Sequence, residues 1–163
     1  MIHLAAAARS VLPSPHEPYI GAVAAASLAG RAASGRAFPP SYHGDPDVSA
    51  LFPRPAVEAL LDNGLRIARG ERADRLRPVL KLSVPFDGAA WLLLSILPNM
   101  PGLAFGIVDD GCGNPVRGYA DLATIAATRG DAGFPVERCL HFEAEGDFGW
   151  YLSRAECHGT IET

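Results

Sequence analysis

Residues 79–97 read VLKLSVPFDGAAWLLLSIL, and this stretch decides the fold. Leu80, Leu82 and Val84 alternate with other residues at a period of two, which predicts a strand with one buried face. Residues 85–88 have the composition of a turn, and residues 89–97 form a long apolar run around Trp91. The stretch therefore predicts two strands joined by a turn, with the second strand the more central one in a sheet.

The sequence on either side of this stretch completes the pattern. Before it, a helix is predicted to begin at the prolines of residues 53–55 and to stop at Gly70. After it come, in chain order, a strand over 103–108, a short strand over 116–119, a short helix capped by Asp121, a strand over 134–142 and a helix over 147–156. The prediction is an α+β fold: a mainly antiparallel β-sheet of about five strands with one helix before it, one inserted and one after.

The residues before this pattern have a different composition. Residues 1–50 are rich in alanine, proline and glycine, which predicts a flexible or weakly helical N-terminal extension. Arg9 interrupts the first alanines, so this segment does not resemble a signal peptide. We therefore expect a single α+β domain over residues 51–158, followed by a tail over residues 159–163.

Composition excludes several classes of protein. The 163 residues include 14 Lys and Arg against 18 Asp and Glu, a net charge of −4 that makes a general nucleic-acid binder unfavourable. No stretch reaches the roughly 18 apolar residues of a membrane helix. The three cysteines are scattered and odd in number, which indicates reduced thiols and a cytoplasmic protein.

The side chains able to support catalysis are few and widely spaced. Carboxylates at Asp109, Asp110 and Glu137 could bind a divalent cation or act with His141, and Cys112 lies in a glycine-rich loop that suits a nucleophile. The alternative function is thus a small hydrolase or metal-dependent nuclease with a carboxylate and histidine site. Close Cys or His pairs of the zinc type are missing from the sequence, so we predict no metal site and no cofactor and assign no catalytic residue.

Four residues are predicted to have structural roles. Trp91 and Tyr119 lie in strands, and Asp121 is in position to cap a helix. Arg138 falls on the apolar side of a predicted strand, where an unpaired guanidinium is costly. We expect Arg138 to bond Asp109, Asp121 or carbonyl groups at a helix end, and so to attach the last strand to the loop region.

The charges are unevenly distributed along the chain. Residues 54–81 carry seven positive and four negative charges, whereas residues 82–163 carry four positive and eleven negative charges. This asymmetry suits a basic protein partner bound by the acidic half, although ordinary solubility would explain it equally well. We therefore favour a non-catalytic accessory or interaction module over an enzyme.

An ordered set of short motifs resembles a known family. The motifs are Leu51-Phe52-Pro53, Val79-Leu80-Lys81-Leu82, Trp91-Leu92-Leu93, Phe105-Gly106-Ile107-Val108, Gly118-Tyr119, Asp121-Leu122, Gly133-Phe134-Pro135-Val136-Glu137-Arg138 and Leu140-His141-Phe142. Over residues 51–157 the chain resembles a bacterial family of small proteins of unknown function that is common on plasmids, integrative elements and other mobile DNA. The resemblance implies association with mobile genetic elements and supplies no reaction, cofactor or catalytic residue.

The sequence departs from the family pattern at three acidic positions. Where the family typically has a Thr-Glu pair after the tryptophan strand, this chain has Leu94 and Ser95. An acidic residue that usually precedes the Gly-Tyr step is replaced here by the pair at residues 116–117, and Cys139 stands where the family has aspartate. If those carboxylates serve a metal or acid–base site in relatives, we expect that chemistry to be altered or absent here.

Overall fold

A computed structural model describes residues 46–162, and the predictions for residues 1–45 lie outside that part of the chain. Its helices are α1 (Pro46–Leu51), α2 (Arg54–Ala68), α3 (Leu122–Ala127) and α4 (Phe148–His158), with a 3₁₀ turn at Ala73–Arg75. Its strands are β1 (Leu80–Ser83), β2 (Ala89–Leu97), β3 (Met100–Asp110), β4 (Val116–Asp121) and β5 (Glu137–Arg138). The predicted α+β class is confirmed.

The five strands form one antiparallel sheet in the order β4-β3-β2-β1-β5. Residues of β2 from Ala89 to Ile96 are all buried, because helices cover both faces of the sheet at its centre. This explains why β2 is continuously apolar, whereas β1 alternates between buried and half-buried positions. The turn predicted at residues 85–88 joins these two strands.

The two faces of the sheet pack against different helices. On one face, Trp91 and Leu93 join a buried apolar cluster with Leu60 of α2 and Ile125 of α3. On the other face, the ring of Phe105 lies 5.5 Å from the ring of Phe148 at the start of α4. Burial of these side chains is the main source of stabilisation for the layers.

A β-bulge in β2 fixes where α2 lies. The register between β2 and β3 shifts at Leu94, and the carbonyl of Leu94 accepts a hydrogen bond of 2.8 Å from Nδ2 of the buried Asn63. The same Nδ2 also donates to the Arg77 carbonyl at 3.2 Å. The next residue, Gly64, has no room for a side chain, because a Cβ atom there would collide with the Ile96 carbonyl oxygen. An Asn-Gly pair thus lets α2 approach the sheet closely.

Several boundaries differ from the prediction. The helix α1 (Pro46–Leu51) begins ahead of the predicted start of the domain at residue 51, and it precedes the helix that was predicted from residues 53–55. The last strand is only Glu137–Arg138 and does not extend over 134–142. Its pairing is limited on one side by Pro135, which has no N–H, and on the other by a turn in which Phe142 N donates to Cys139 O.

The residues after α4 return to the sheet. Gly159, at a φ of 70°, ends the helix as its C-cap, and Ile161 is buried. The Ile161 carbonyl accepts a hydrogen bond of 3.2 Å from Nζ of Lys81 in β1. Burial lowers the pKa of Lys81. Within residues 46–162, no helix combines the length and apolar character needed to cross a membrane.

Candidate functional site

Three loops meet at one end of the sheet. Because the strands are antiparallel, the β1–β2 turn, the β3–β4 loop and the segment leading into β5 all lie at this end. The loops are close: a Cβ atom at Gly111 would lie 2.8 Å from the Asp87 backbone carbonyl oxygen, and one at Gly130 would lie 2.7 Å from Oδ2 of the Asp87 side chain. Gly111 also has a φ of 82°, so glycine is required at that position, whereas a side chain at Gly130 would displace the side chains of Val84 and Asp87.

Asp87 holds the β1–β2 turn against the segment before β5. Its Oδ2 accepts a hydrogen bond of 2.9 Å from the Asp131 backbone N–H. The segment containing Asp131 is itself closed by a backbone hydrogen bond of 2.9 Å from Gly130 N to Phe134 O and by a bridge between Arg129 and Pro135. The turn and this closed loop therefore form one surface.

Phe86 is the most unusual residue of this surface. It has a φ of 64°, and it is the one non-glycine residue with positive φ among residues 46–162. The side chain is 93% exposed, and its ring lies 5.6 Å from the ring of Phe134, which is also exposed. A left-handed backbone costs a residue with a Cβ atom about 1 kcal/mol, and the exposed ring gains little from burial. We name the surface formed by Phe86, Phe134, Asp87 and Asp131 the Phe86 patch.

Further carboxylates lie at the same end of the sheet as the Phe86 patch. In addition to Asp87 and Asp131, the exposed Asp110 pairs with Ala89 at the start of β2, and the exposed Glu137 pairs with Ser83 at the end of β1. The guanidinium of Arg129 lies at the same end and donates to the carbonyls of residues 126 and 128 at the end of α3. The end of the sheet therefore presents an exposed aromatic pair in a negatively charged setting.

The candidate catalytic residues of the β3–β4 loop have local roles. Asp109 is buried, and its Oδ1 accepts a hydrogen bond of 3.0 Å from Gly111 N. Asp110 Oδ1 accepts one of 3.0 Å from Cys112 N. The charge of Asp110 raises the pKa of the Cys112 thiol, and a hydrogen bond to the same carboxylate, desolvation and the charge of Asp109 act in the same direction. A catalytic thiol needs the opposite shift, because the thiolate is the nucleophile.

Glu137 and His141 lie away from that loop. Glu137 and Asp109 occupy strands separated by β1 and β2, which places their Cα atoms about 14 Å apart. His141 is exposed and lies in the turn that follows β5. Among residues 46–162, no three or more His, Cys, Asp or Glu side chains form a group suited to a metal ion. The structure thus brings Asp109, Asp110 and Cys112 together at the end of β3 and the start of the loop that follows, and it leaves the other two candidates elsewhere.

Arg138 does not make the hydrogen bonds with Asp109 or Asp121 that were expected from the sequence. It lies opposite Leu82 on β1, and its buried Nε has no hydrogen-bond partner in the described part of the chain. Asp109 bonds Gly111, as above, and Asp121 accepts from Thr124 instead. The expected bond to either carboxylate is therefore wrong, because Asp109 lies in β3 and Asp121 in β4, which are three and four strands away from β5 in the sheet.

The other three residues with expected structural roles lie where each can contribute to the fold. Trp91 is buried in the apolar cluster on one face of the sheet. Asp121 Oδ1 accepts a hydrogen bond of 2.7 Å from the Thr124 N–H at the start of α3. Tyr119 is partly exposed at the sheet edge, with its ring 5.1 Å from Phe105.

Sequence reasoning missed Phe86 as a surface residue. Residues 85–88 were identifiable as a turn, but a turn tetrapeptide does not reveal whether its aromatic side chain folds inward or stays outside. The one available signal is the position of Phe86 between Pro85 and an Asp-Gly pair, where a side chain has no strand neighbours to pack against.

The comparisons with known proteins supply a family and no activity. Searches of curated proteins and of solved structures find no significant match to the chain. The family described as "Protein of unknown function (DUF2958)" matches residues 51–162, which include α2, the whole sheet and α4. Since this match covers well over half of the 163 residues, the chain belongs to the DUF2958 family of proteins of unknown function.

Proposed function

We propose that this protein is a non-catalytic interaction module whose Phe86 patch binds a basic segment of a partner protein. The observation that carries the proposal is the conformation of Phe86, which is at once left-handed and 93% exposed. Glycine would adopt this backbone without strain, and a polar residue would suit the exposure. A phenylalanine here therefore weakens the free protein, and contact with a partner is the event that would bury its ring.

The surroundings of the ring support a basic partner. Aromatic side chains are enriched at the centres of protein interfaces, where they supply most of the buried apolar area. Asp87 and Asp131 lie beside the aromatic pair, and Asp110 and Glu137 lie at the same end of the sheet. Carboxylates around an apolar centre would attract Lys and Arg side chains and would favour a basic partner over an acidic one.

The alternative is a small hydrolase or metal-dependent nuclease, with Asp109, Asp110, Glu137 and His141 as its site. Such chemistry requires side chains that converge on one substrate or ion within a few ångströms. The separation of about 14 Å between the strands of Asp109 and Glu137 does not favour that convergence. For this reason we rank the interaction module first.

The cellular setting is part of the same proposal. The motif resemblance supports association with mobile genetic elements, and the scattered cysteines support action in the cytoplasm. Genes for plasmid transfer, integration or defence should then lie beside the gene for this protein. A genomic neighbourhood of housekeeping genes alone would contradict this part of the proposal.

The proposal is tested by affinity capture from the native host with three versions of the full chain. Phe86→Gly removes the ring and relieves the backbone strain. Leu140→Ala is the matched control, because Leu140 is 69% exposed and lies beyond β5, outside the Phe86 patch. The wild type and Leu140→Ala should retain the same basic partner, and Phe86→Gly should lose it by about tenfold or more, since interface aromatics of this kind contribute 2 kcal/mol or more.

Charge is tested separately with Asp131→Asn. The Asp131 contact that holds the loop is made by its backbone N–H, so the substitution removes a carboxylate without removing that hydrogen bond. Capture should weaken and should become less sensitive to salt. Equal capture of the partner by wild type and Phe86→Gly would overturn the proposed function, and hydrolysis of nucleic acid or ester substrates that depends on Asp109 would favour the alternative.

A further inference from the structure

Within residues 46–162, β4 is the strand at one edge of the sheet. In the described part of the chain, β3 is the single strand bonded to β4, and the outward backbone groups of β4 make no hydrogen bond to residues 46–162. The strand has six residues (VRGYAD) and contains no lysine or proline, which commonly block such edges. An open edge of this length can accept a further strand.

We propose that β4 pairs in antiparallel fashion with β4 of a second copy of this chain, about a two-fold axis at Tyr119. This register places Arg117 of each copy opposite Asp121 of the other and Gly118 opposite Ala120. The interface is isologous, so one strand supplies both sides of it. It is separate from the Phe86 patch and does not depend on the function proposed for that patch.

The charges of β4 select this register. Arg117, Tyr119 and Asp121 lie on the same face of the strand, because side chains alternate along it. Pairing about Tyr119 therefore makes two Arg–Asp pairs, whereas a shift of two residues in either direction separates the opposite charges. Arg117 is available for this role: its contact with Asp74 is 3.7 Å long and exposed to solvent. The capping hydrogen bonds of Asp121 both use Oδ1.

The aromatic side chains agree with the same axis. The rings of Tyr119, Phe105 and Phe148 form a row, with 5.1 Å between the first two ring centres and 5.5 Å between the last two. Tyr119 is at the outer end of this row and is 39% exposed. Residues directly opposite in an antiparallel pair have Cβ atoms about 5 Å apart, so the Tyr119 rings of two copies would meet at the axis and extend this row. On the other face, a Cβ atom at Gly118 would contact nothing within 4 Å, so the small residues there present no obstacle.

A single cysteine at the axis tests the register. Tyr119→Cys is made in the full chain with the three exposed native cysteines replaced by serine. Two cysteines that face each other at residue 119 meet the geometry of a disulfide. Mild oxidation should then give a covalent dimer. The matched control is Val116→Cys, an exposed position of β4 that makes none of the charge pairs. Its two cysteines would be about 20 Å apart along the strand and should crosslink at least about tenfold more slowly.

Sedimentation of the unmodified protein provides the second measurement. The wild type should show a monomer–dimer equilibrium, and Arg117→Glu should shift it towards monomer, because two like-charged pairs replace two attractive ones. Two outcomes would overturn the proposal. One is a wild type that stays monomeric at about 100 μM, where weak edge pairing is populated. The other is equal crosslinking at residues 116 and 119. Loss of folding in the cysteine variants would show in their circular dichroism and would leave sedimentation of the wild type to decide.

Discussion

Replacing Asn63 by alanine should destabilise the domain by about 2–4 kcal/mol. The Asn63 side chain is buried between α2 and the sheet, and its Nδ2 is the donor to the carbonyls of Leu94 and Arg77. The Leu94 carbonyl lies at the bulge of β2, where the regular hydrogen bonding to β3 is interrupted. Alanine would leave both carbonyls without their donor.

The magnitude follows from the environment of each hydrogen bond. A buried carbonyl that loses its donor costs about 1–3 kcal/mol, and the Leu94 bond is fully buried at 2.8 Å. The Arg77 bond is partly buried and longer at 3.2 Å, so water can replace part of it. The lost packing of the amide adds to these contributions. Because small domains have a total stability of about 5–15 kcal/mol, the variant should unfold roughly 10 °C lower.

Urea denaturation followed by the fluorescence of the buried Trp91 measures the change. Asp62→Ala is the matched control, because Asp62 precedes Asn63 on the same helix and is exposed. The control should stay within about 0.5 kcal/mol of the wild type. Asn63→Asp keeps the shape of the side chain and replaces the donor by a carboxylate, so it should be at least as destabilising at neutral pH. If Asn63→Ala unfolds at the same urea concentration as Asp62→Ala with an unchanged slope, the bulge carbonyl does not depend on Asn63 and the reasoning fails.

Three further predictions concern other parts of the sheet. Gly106 of β3 and Gly118 of β4 lie opposite each other, but an added Cβ atom would collide with the β2 backbone only at Gly106. In thermal unfolding, Gly106→Ala should therefore lower the free energy of unfolding by about 2–3 kcal/mol, and Gly118→Ala should lower it by less than about 1 kcal/mol. The Asp110 charge raises the pKa of Cys112, so Asp110→Asn should lower that pKa and speed the alkylation of Cys112 at pH 8. The measurement is a pH–rate profile of alkylation in a chain whose other two cysteines are replaced by serine. An unchanged profile would contradict the attribution to Asp110. Asp121→Ala removes the N-cap of α3 and should lower stability by about 1 kcal/mol, whereas Asp121→Ser should restore most of the loss.

The sheet could be predicted from the sequence because its signals are local. Alternation in residues 79–84, an apolar run at residues 89–97 and turn residues between them specify a hairpin without any knowledge of distant contacts. The cap at Asp121 and the stop at Gly70 are equally local, and Gly70 has the positive φ typical of a helix terminus. The prediction of a last strand over residues 134–142 was wrong, because the pairing of these residues depends on which of their N–H groups can reach β1.

The candidate site was harder to predict, since it depends on tertiary neighbours. The sequence places Asp109 and Asp110 at a strand end, but it does not show that both carboxylates are occupied by nearby backbone N–H groups. The sequence also does not show that the ring of Phe86 contacts the ring of Phe134, because this contact forms only when the β1–β2 turn packs against the loop before β5. The structural role of Asn63 depends on a bulge that no spacing in the sequence reveals.

The opposite edges of the sheet differ in length, and this difference limits how far the protein can assemble. The β5 edge offers two strand residues, too few to act as a template for another chain, whereas the β4 edge offers six. A sheet with a single usable edge can add one neighbour and then has no free template left. The dimer proposed above would therefore terminate at two copies and would not continue into an open fibre, which would protect a chain with a highly apolar central strand from uncontrolled polymerisation.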